Sequence, residues 1–196
     1  MAADHRPVQR HWVRRLGLLL TLGFLLSVIL LRYTTYDSVI VVGESMSPGL
    51  QENDRLWANR LAYRKAPPRR GDIVIVLPAG EDAIEIKRVI GLPGDVVVVS
   101  MGQLFINGVL VRESYLKEPM QLDTWPFPVL VPDRAVFVMG DNRNFSRDSR
   151  DFGPVPLGEV RAKATRVFFP FDRARRLVPP KELSDLPVLR PHEAGG

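Results

Sequence analysis

Two residues of this 196-residue chain could together do acyl-transfer chemistry. They are Ser45, in Gly43-Glu44-Ser45-Met46-Ser47-Pro48, and Lys87, in Glu85-Ile86-Lys87-Arg88-Val89-Ile90-Gly91. A serine hydroxyl is a poor nucleophile near neutral pH and needs a base. Histidine is the usual one, but the histidines here are His5, His11 and His192, all in polar terminal segments. A lysine can serve if a dry site keeps it neutral, and Lys87 lies in the apolar run from Ala83 to Ile90. Bringing a lysine from its ordinary pKa of about 10.4 to near 7 takes roughly 4 to 5 kcal/mol of differential stabilisation from the fold. On spacing alone the pairing is suggestive only. A serine in such a turn is usually a turn residue, and a strand lysine is usually a solvated charge.

The elements that would have to position this pair are mainly β. Ser38 to Val42 is a short β-branched run leading into the Ser45 turn, and Ile73 to Leu77 is another, bounded by Gly71-Asp72 and Pro78-Ala79-Gly80. Ala83 to Ile90 alternates, with Ile84, Ile86 and Ile90 on one face and Ala83, Glu85, Lys87 and Val89 on the other. Val96 to Val99, Val136 to Met139 and Ala162 to Phe169 read as further strands. Asn107-Gly108 between two apolar runs predicts a type I′ hairpin. Arg55 to Arg64 admits a short helix. The expected architecture is a folded-over antiparallel sheet or partly open barrel over residues 37–171. Within it, residues 112–134 form an irregular excursion carrying Pro119, Pro126, Pro128 and Pro132. Residues 172–196, rich in proline and charge, read as a flexible tail.

The N-terminal segment differs. Leu16 to Leu31 is uncharged and mostly apolar, flanked by Arg14 and Arg15 on one side and Arg32 on the other. Such a run makes about 24 Å of helix against a hydrocarbon core of about 30 Å, and Trp12, Val13, Tyr33 and Tyr36 can extend it. A cleavable signal peptide would look similar, but Arg32-Tyr33-Thr34-Thr35-Tyr36-Asp37 offers no Ala-x-Ala-like cleavage site. The segment from residue 16 to 36 is therefore expected to be an uncleaved transmembrane anchor. Arg6, Arg10, Arg14 and Arg15 precede the apolar run and Arg32 alone follows closely, which puts residues 1–15 in the cytoplasm and the rest outside.

Composition excludes some classes of function. The absence of cysteine rules out disulfides and thiolate metal sites. The formal charge of +5 is spread over the chain, with no zinc-finger or RNA-binding signature to suggest a nucleic-acid partner. No cofactor or metal is called for.

One more stretch bears on the pair: Gly140-Asp141-Asn142-Arg143-Asn144-Phe145-Ser146-Arg147-Asp148-Ser149-Arg150. It could be a surface loop held by Asp-Arg pairs of little energetic worth. A catalytic lysine gives it another use, because a neutral amine needs a partner to orient it and a serine hydroxyl is suitable. Two aromatic clusters, Trp125-Pro126-Phe127 and Phe168-Phe169-Pro170-Phe171, read either as core or as a patch resting in a bilayer interface.

Four ordered blocks carry a family resemblance. Ser45-Met46-Ser47-Pro48, Gly71-Asp72-Ile73-Val74, Lys87 to Asp95, and the Gly140 to Arg150 loop resemble the sequence blocks of type I signal peptidases, as does the preceding anchor. The likeness spans about residues 16 to 170, and lysine in place of histidine makes it similar to the bacterial kind. The resemblance implies a membrane-anchored serine endopeptidase that removes signal peptides from exported preproteins, with the lipid bilayer as its setting. Ser45 would be the nucleophile, Lys87 the general base and Ser146 the partner of the lysine amine. Asp148 would brace the loop, paired with Arg150 and Arg143, and Asp141 would support it. The Ser45 backbone N–H and a backbone donor near Gly43 would form the oxyanion hole. The substrate would lie extended beside residues 39–42 and 83–86, with small side chains first and third before the cut. One departure is Gly49, where the family block usually has threonine, which would loosen the turn. The self-cleaving repressors of the DNA-damage response share Ser-Lys chemistry, but carry a DNA-binding helical domain where this chain has its apolar segment. A tethered β-domain that binds an envelope partner would need neither Ser45 nor Lys87.

Overall fold

In this computed structural model, residues 9–80, 83–121 and 127–188 are described, and the chain divides into two compact units at Tyr36. The first is built on α1 (Gln9–Thr35), a 27-residue helix. Its 18-residue stretch Trp12–Ile29 has a mean hydropathy of 1.7 and none of it is buried within the chain. The hydroxyls along that stretch are satisfied internally, with Thr21 Oγ1 donating to the Gly17 carbonyl at 2.9 Å and Ser27 Oγ to that of Phe24 at 2.7 Å. This is the accounting a hydrocarbon environment demands of a helix.

The second unit is β. Its strands are β1 (Tyr36–Ile40), β2 (Arg55–Asn59), β3 (Ile73–Val76), β4 (Glu85–Gly91), β5 (Val96–Ser100) and β6 (Gln103–Ile106). They continue as β7 (Val109–Val111), β8 (Val129–Leu130), β9 (Ala135–Met139), β10 (Val155–Pro156), β11 (Val160–Phe169) and β12 (Arg175–Arg176). Two short helices, α2 (Ser149–Phe152) and α3 (Lys181–Ser184), complete it. The larger sheet runs β1-β2-β11-β3-β4-β9-β10, with β12 added to β11, and the smaller runs β7-β6-β5-β8. The ten-residue β11 pairs with β2, β3 and β12, and register shifts along it bend the strand and curl the sheet.

The core follows the curl. Ile90, Val97, Val99, Leu104, Ile106, Phe137 and Met139 form one buried cluster. A second, of Val41, Met46, Leu50, Leu56, Ile73, Ala164 and Val167, lies beneath the turn that carries Ser45. Val74, Val76, Val89, Val136 and Val138 form a third. All four residues of β3 are buried, and β4 is buried from Lys87 to Gly91, so these strands are covered on both faces. That explains why alternation over Ala83 to Ile90 did not end with one wet face.

The Asn107-Gly108 turn has φ of 53° and 77°, the positive pair a type I′ hairpin requires, and it joins β6 to β7. Arg55 to Arg64 is not helical. Leu56 and Ala58 are fully buried between half-exposed neighbours, so a period of two prevails and β2 forms, followed by turns. The described residues of the excursion are irregular apart from β8, which pairs with β5; residues 122–126, with Trp125 and Pro126, lie outside the described residues.

Over residues 172–188, the described part of the expected flexible tail, the chain is a strap. Arg173 donates through Nε and Nη2 to Asp54 Oδ1 at 3.0 and 2.6 Å, and Asp54 is fully buried. Arg175 donates to the Gly49 carbonyl, and the Leu177 N–H to that of Thr165 at 3.0 Å. Pro179 packs where a side chain at Gly71 (φ 84°) would sit. Leu183 is fully buried in the first cluster, and Arg70 holds the Leu186 carbonyl at 3.1 Å. Composition suggested disorder, but these charges and this leucine have fixed partners far back in the chain.

Candidate active site

Ser45 sits in a tight turn. Its neighbour Met46 and the later Leu50 are buried in the second cluster, and the Leu50 N–H bonds the Met46 carbonyl at 2.7 Å. Anchoring both sides of the turn leaves Ser45 half-exposed between them. Gly43 precedes it at φ 78°, a left-handed conformation that suits glycine, with open space around its α-carbon. Ser45 opens onto a cleft of about 480 Å³, lined by Val39 to Val42 on one side and Ile84, Glu85 and Ile86 on another. Both walls are strand edges: β1 ends the larger sheet, and β4 pairs with β3 along Glu85–Arg88 but meets β9 only from Arg88 onwards. An extended peptide could add to such edges by main-chain hydrogen bonds.

Lys87 reaches this cleft from beneath. Only 1% of the residue is exposed, yet Nζ lies 3.3 Å from Ser45 Oγ. The same amine donates to Glu85 Oε2 at 2.8 Å. It does not bond Ser146, whose Oγ is buried and without a hydrogen-bond partner. The expected amine–Ser146 contact is therefore replaced here by an ion pair, because a carboxylate two residues back along the strand is the stronger acceptor.

The 140–150 loop closes over the Ser45 turn. The Asn142 N–H donates to the Ser45 carbonyl at 2.9 Å. A side chain on Gly140 would fall on that carbonyl and on Ser146 Oγ, so only glycine permits the approach. Asp148 is fully buried; it accepts from the Gly140 N–H at 3.0 Å and from Arg150 Nε at 2.9 Å, and caps α2. Arg150 also holds the Arg143 carbonyl at 2.7 Å. The expected Arg143–Asp148 pair is not made. Arg143 turns instead to Glu113, at 2.6 and 2.5 Å, and to the Tyr115 hydroxyl at 2.9 Å. Burial alone would lower the Arg143 pKa, but the Glu113 carboxylate and Tyr115 more than offset it and raise it.

Asp141 bonds Arg88 through both oxygens, at 2.7 and 2.6 Å, with both side chains buried. The Arg88 pKa is likewise pulled down by burial and raised overall by Asp141. This pair explains Gly49. A side chain there would fall on Asp141 Oδ2, so the glycine does not slacken the turn; it gives the carboxylate its place.

Comparison with known proteins bears on what such a site belongs to. The family model described as signal peptidase, peptidase S26, matches residues 10–169. A signal peptidase I of Leptolyngbya laminosa is 39% identical over 168 residues, covering 79% of this chain and 81% of that one. A probable signal peptidase I-2 of Synechocystis is 36% identical over 175 residues, covering 85% and 78%. One named signal peptidase I from Bacillus amyloliquefaciens is 38% identical over 157 residues, covering 76% and 84%. The chain belongs to the signal peptidase family.

In this signal peptidase, sequence reasoning named the residues at the Ser45 turn and missed several that hold them. Arg88 directly follows Lys87 and points to the other face of β4, so its pairing with Asp141 was open to the alternation argument. Glu113 and Tyr115 lie in the proline-rich excursion, where no periodicity marks them. Glu85 had been placed on the same face as Lys87, and its contact with the amine follows from that placement. The strap lies beyond the matched residues, which end at 169.

Proposed function

We propose that this peptidase cuts signal peptides from exported preproteins with Ser45 as nucleophile and Lys87 as general base, without histidine. One observation carries the reading: a buried lysine amine 3.3 Å from a serine hydroxyl in the wall of a cleft between two strand edges. In the reactive state the amine is neutral and accepts the Ser45 proton as Oγ attacks the scissile carbonyl. The Ser45 N–H and a backbone donor beside Gly43 stabilise the oxyanion. Lys87 then protonates the leaving amine, and water releases the acyl group. The residues before the cut lie along Val39 to Val42 and Ile84 to Ile86. Asp148, Arg150, Arg143 and Asp141 keep the loop closed over the turn, and Ser146 is the amine's partner during the reaction.

The apolar, unburied stretch Trp12–Ile29 of α1 supports a single-pass anchor, and the arginines around its start support a cytoplasmic N-terminus with the catalytic unit on the outer side. The test is cleavage of a preprotein by the detergent-solubilised chain. Ser45→Ala should abolish it, and Lys87→Arg, which keeps the charge but cannot give up its proton, should cost about 10²-fold or more. An active Lys87→Arg enzyme would leave Ser45 without its base and end the reading.

A further inference from the structure

We propose that Glu85 is a latch on the general base: its carboxylate holds the Lys87 amine charged while the cleft is empty, and the substrate strand displaces it. The inference rests on the Ser-Lys reading above and concerns a positioning residue rather than one that touches the reacting bond.

Three observations meet at this point. First, Lys87 Nζ is closer to Glu85 Oε2, at 2.8 Å, than to Ser45 Oγ, at 3.3 Å. An ammonium held by a carboxylate donates to the serine oxygen and has no lone pair for its proton. The arrangement in the empty cleft is therefore a resting one. Second, the Glu85 side chain is 34% exposed against 1% for Lys87, and Glu85 lines the substrate cleft. Of the two partners, it is the one a ligand can reach. Third, Ser146 Oγ is buried beside the Ser45 carbonyl and has no hydrogen-bond partner. A buried hydroxyl left unpaired costs free energy, which marks it as a partner held in reserve.

Several other charges in the cleft and on the neighbouring strands have partners of their own. In the cleft, Arg60 pairs with Asp37 at 3.5 Å and Arg161 with Glu159 at 2.9 Å. On the neighbouring strands, Arg88 is held by Asp141 and Lys163 by Asp72 at 2.6 Å. From β3, the residues opposite Lys87 and Glu85 are Val74 and Val76, which carry no charge. Among the described residues, Glu85 is the carboxylate that bonds this amine.

Substrate entry changes the balance. A strand adding to the edge of β4 runs along Ile84 to Ile86, and the Glu85 carboxylate must leave the amine to water or to the strand's margin. The buried ammonium, without its counter-ion, loses a proton to solvent through the cleft. The neutral amine then accepts from Ser45 and settles against Ser146. The enzyme is armed by occupancy, and a solvated nucleophile is not left active in an empty site.

The test compares pH profiles of the full-length enzyme in detergent on a peptide with alanine first and third before the cut. The profile of kcat/KM reports the free enzyme and that of kcat the complex. In wild type the ascending limb of kcat/KM should lie at higher pH than that of kcat. Glu85→Gln should move the kcat/KM limb down by about one pH unit or more, raising the rate below it about ten-fold, while the kcat limb stays where it was. A Glu85→Gln profile that overlays wild type, or a loss uniform in pH, overturns the latch. A second measurement needs no change at Glu85. Binding of the same peptide to Ser45→Ala protein near neutral pH, followed by calorimetry in buffers of different ionisation enthalpy, should release protons, and no release overturns the proposal. An inactive Lys87→Arg enzyme beside either failure would show that the latch is wrong and the Ser-Lys reading intact.

Discussion

Three features carry consequences at the scale of single residues. Gly140 lets the Ser146 loop lie against the Ser45 carbonyl, so Gly140→Ala should overpack the contact. The expected cost is about 1–3 kcal/mol in urea unfolding, with a fall in kcat larger than any change in KM. The Arg88–Asp141 pair is buried on both sides, and removing one partner strands the other charge. Asp141→Ala should destabilise the enzyme by about 3–5 kcal/mol, measured in the same way. Burial, with Asp72 beside it, pushes the Tyr63 phenol up. A group raised on folding contributes stability below its unfolded pKa, about 10 for tyrosine, and loses it as pH rises towards the folded value. Stability should therefore fall above about pH 10, and Tyr63→Phe should flatten that fall. Residue identity was the most legible level of the sequence. Ser45 and Lys87 were found as a pair because a serine without an accessible histidine needs another base. Which acceptor the lysine uses was not legible, because Glu85 and Ser146 differ in placement rather than in type.

At the scale of elements, the hairpin at Asn107-Gly108 was readable because its turn chemistry is local, and so were β3, β5 and β9 as apolar runs. β2 was not, because its charged neighbours resemble a helix until the sheet buries Leu56 and Ala58. The strap was the largest omission, since the contacts that fasten it to the rest of the unit are long-range. Arg173 meets Asp54 across 119 residues and Arg70 meets Leu186 across 116. Arg173→Ala should leave Asp54 buried with only the Gln51 N–H on its carboxylate. It should cost about 1–3 kcal/mol and lower kcat, since the same turn carries Ser45. Arg173→Lys, which restores charge without the two-nitrogen fork, should recover part of both. Full activity in Arg173→Ala would show that the strap only stabilises.

At the scale of the whole molecule, the proposed function gives the two units separate tasks. A chain lacking residues 1–36 should fold and cut a short peptide, because no catalytic block lies there. It should lose much more activity on membrane-embedded preprotein, where anchoring raises local concentration; equal losses would refute this division. Phe169 and Phe171 lie edge to face at 5.5 Å, with 41% and 83% exposed, while Phe168 stacks on Trp57 at 4.5 Å. Replacing Phe169 and Phe171 by serine should weaken binding of the anchor-free unit to lipid vesicles without unfolding it, and unchanged binding would remove that role. The strap also sets an order in time. The Ser45 turn is translated early, and the arginine that fastens it to Asp54 arrives 119 residues later. At about 5–20 residues per second the gap is roughly 6–24 s. For that interval the nascent chain carries Ser45, the proposed nucleophile, on an unfastened turn. Under the proposed mechanism, full cutting power should then arrive only after Arg173 has been added.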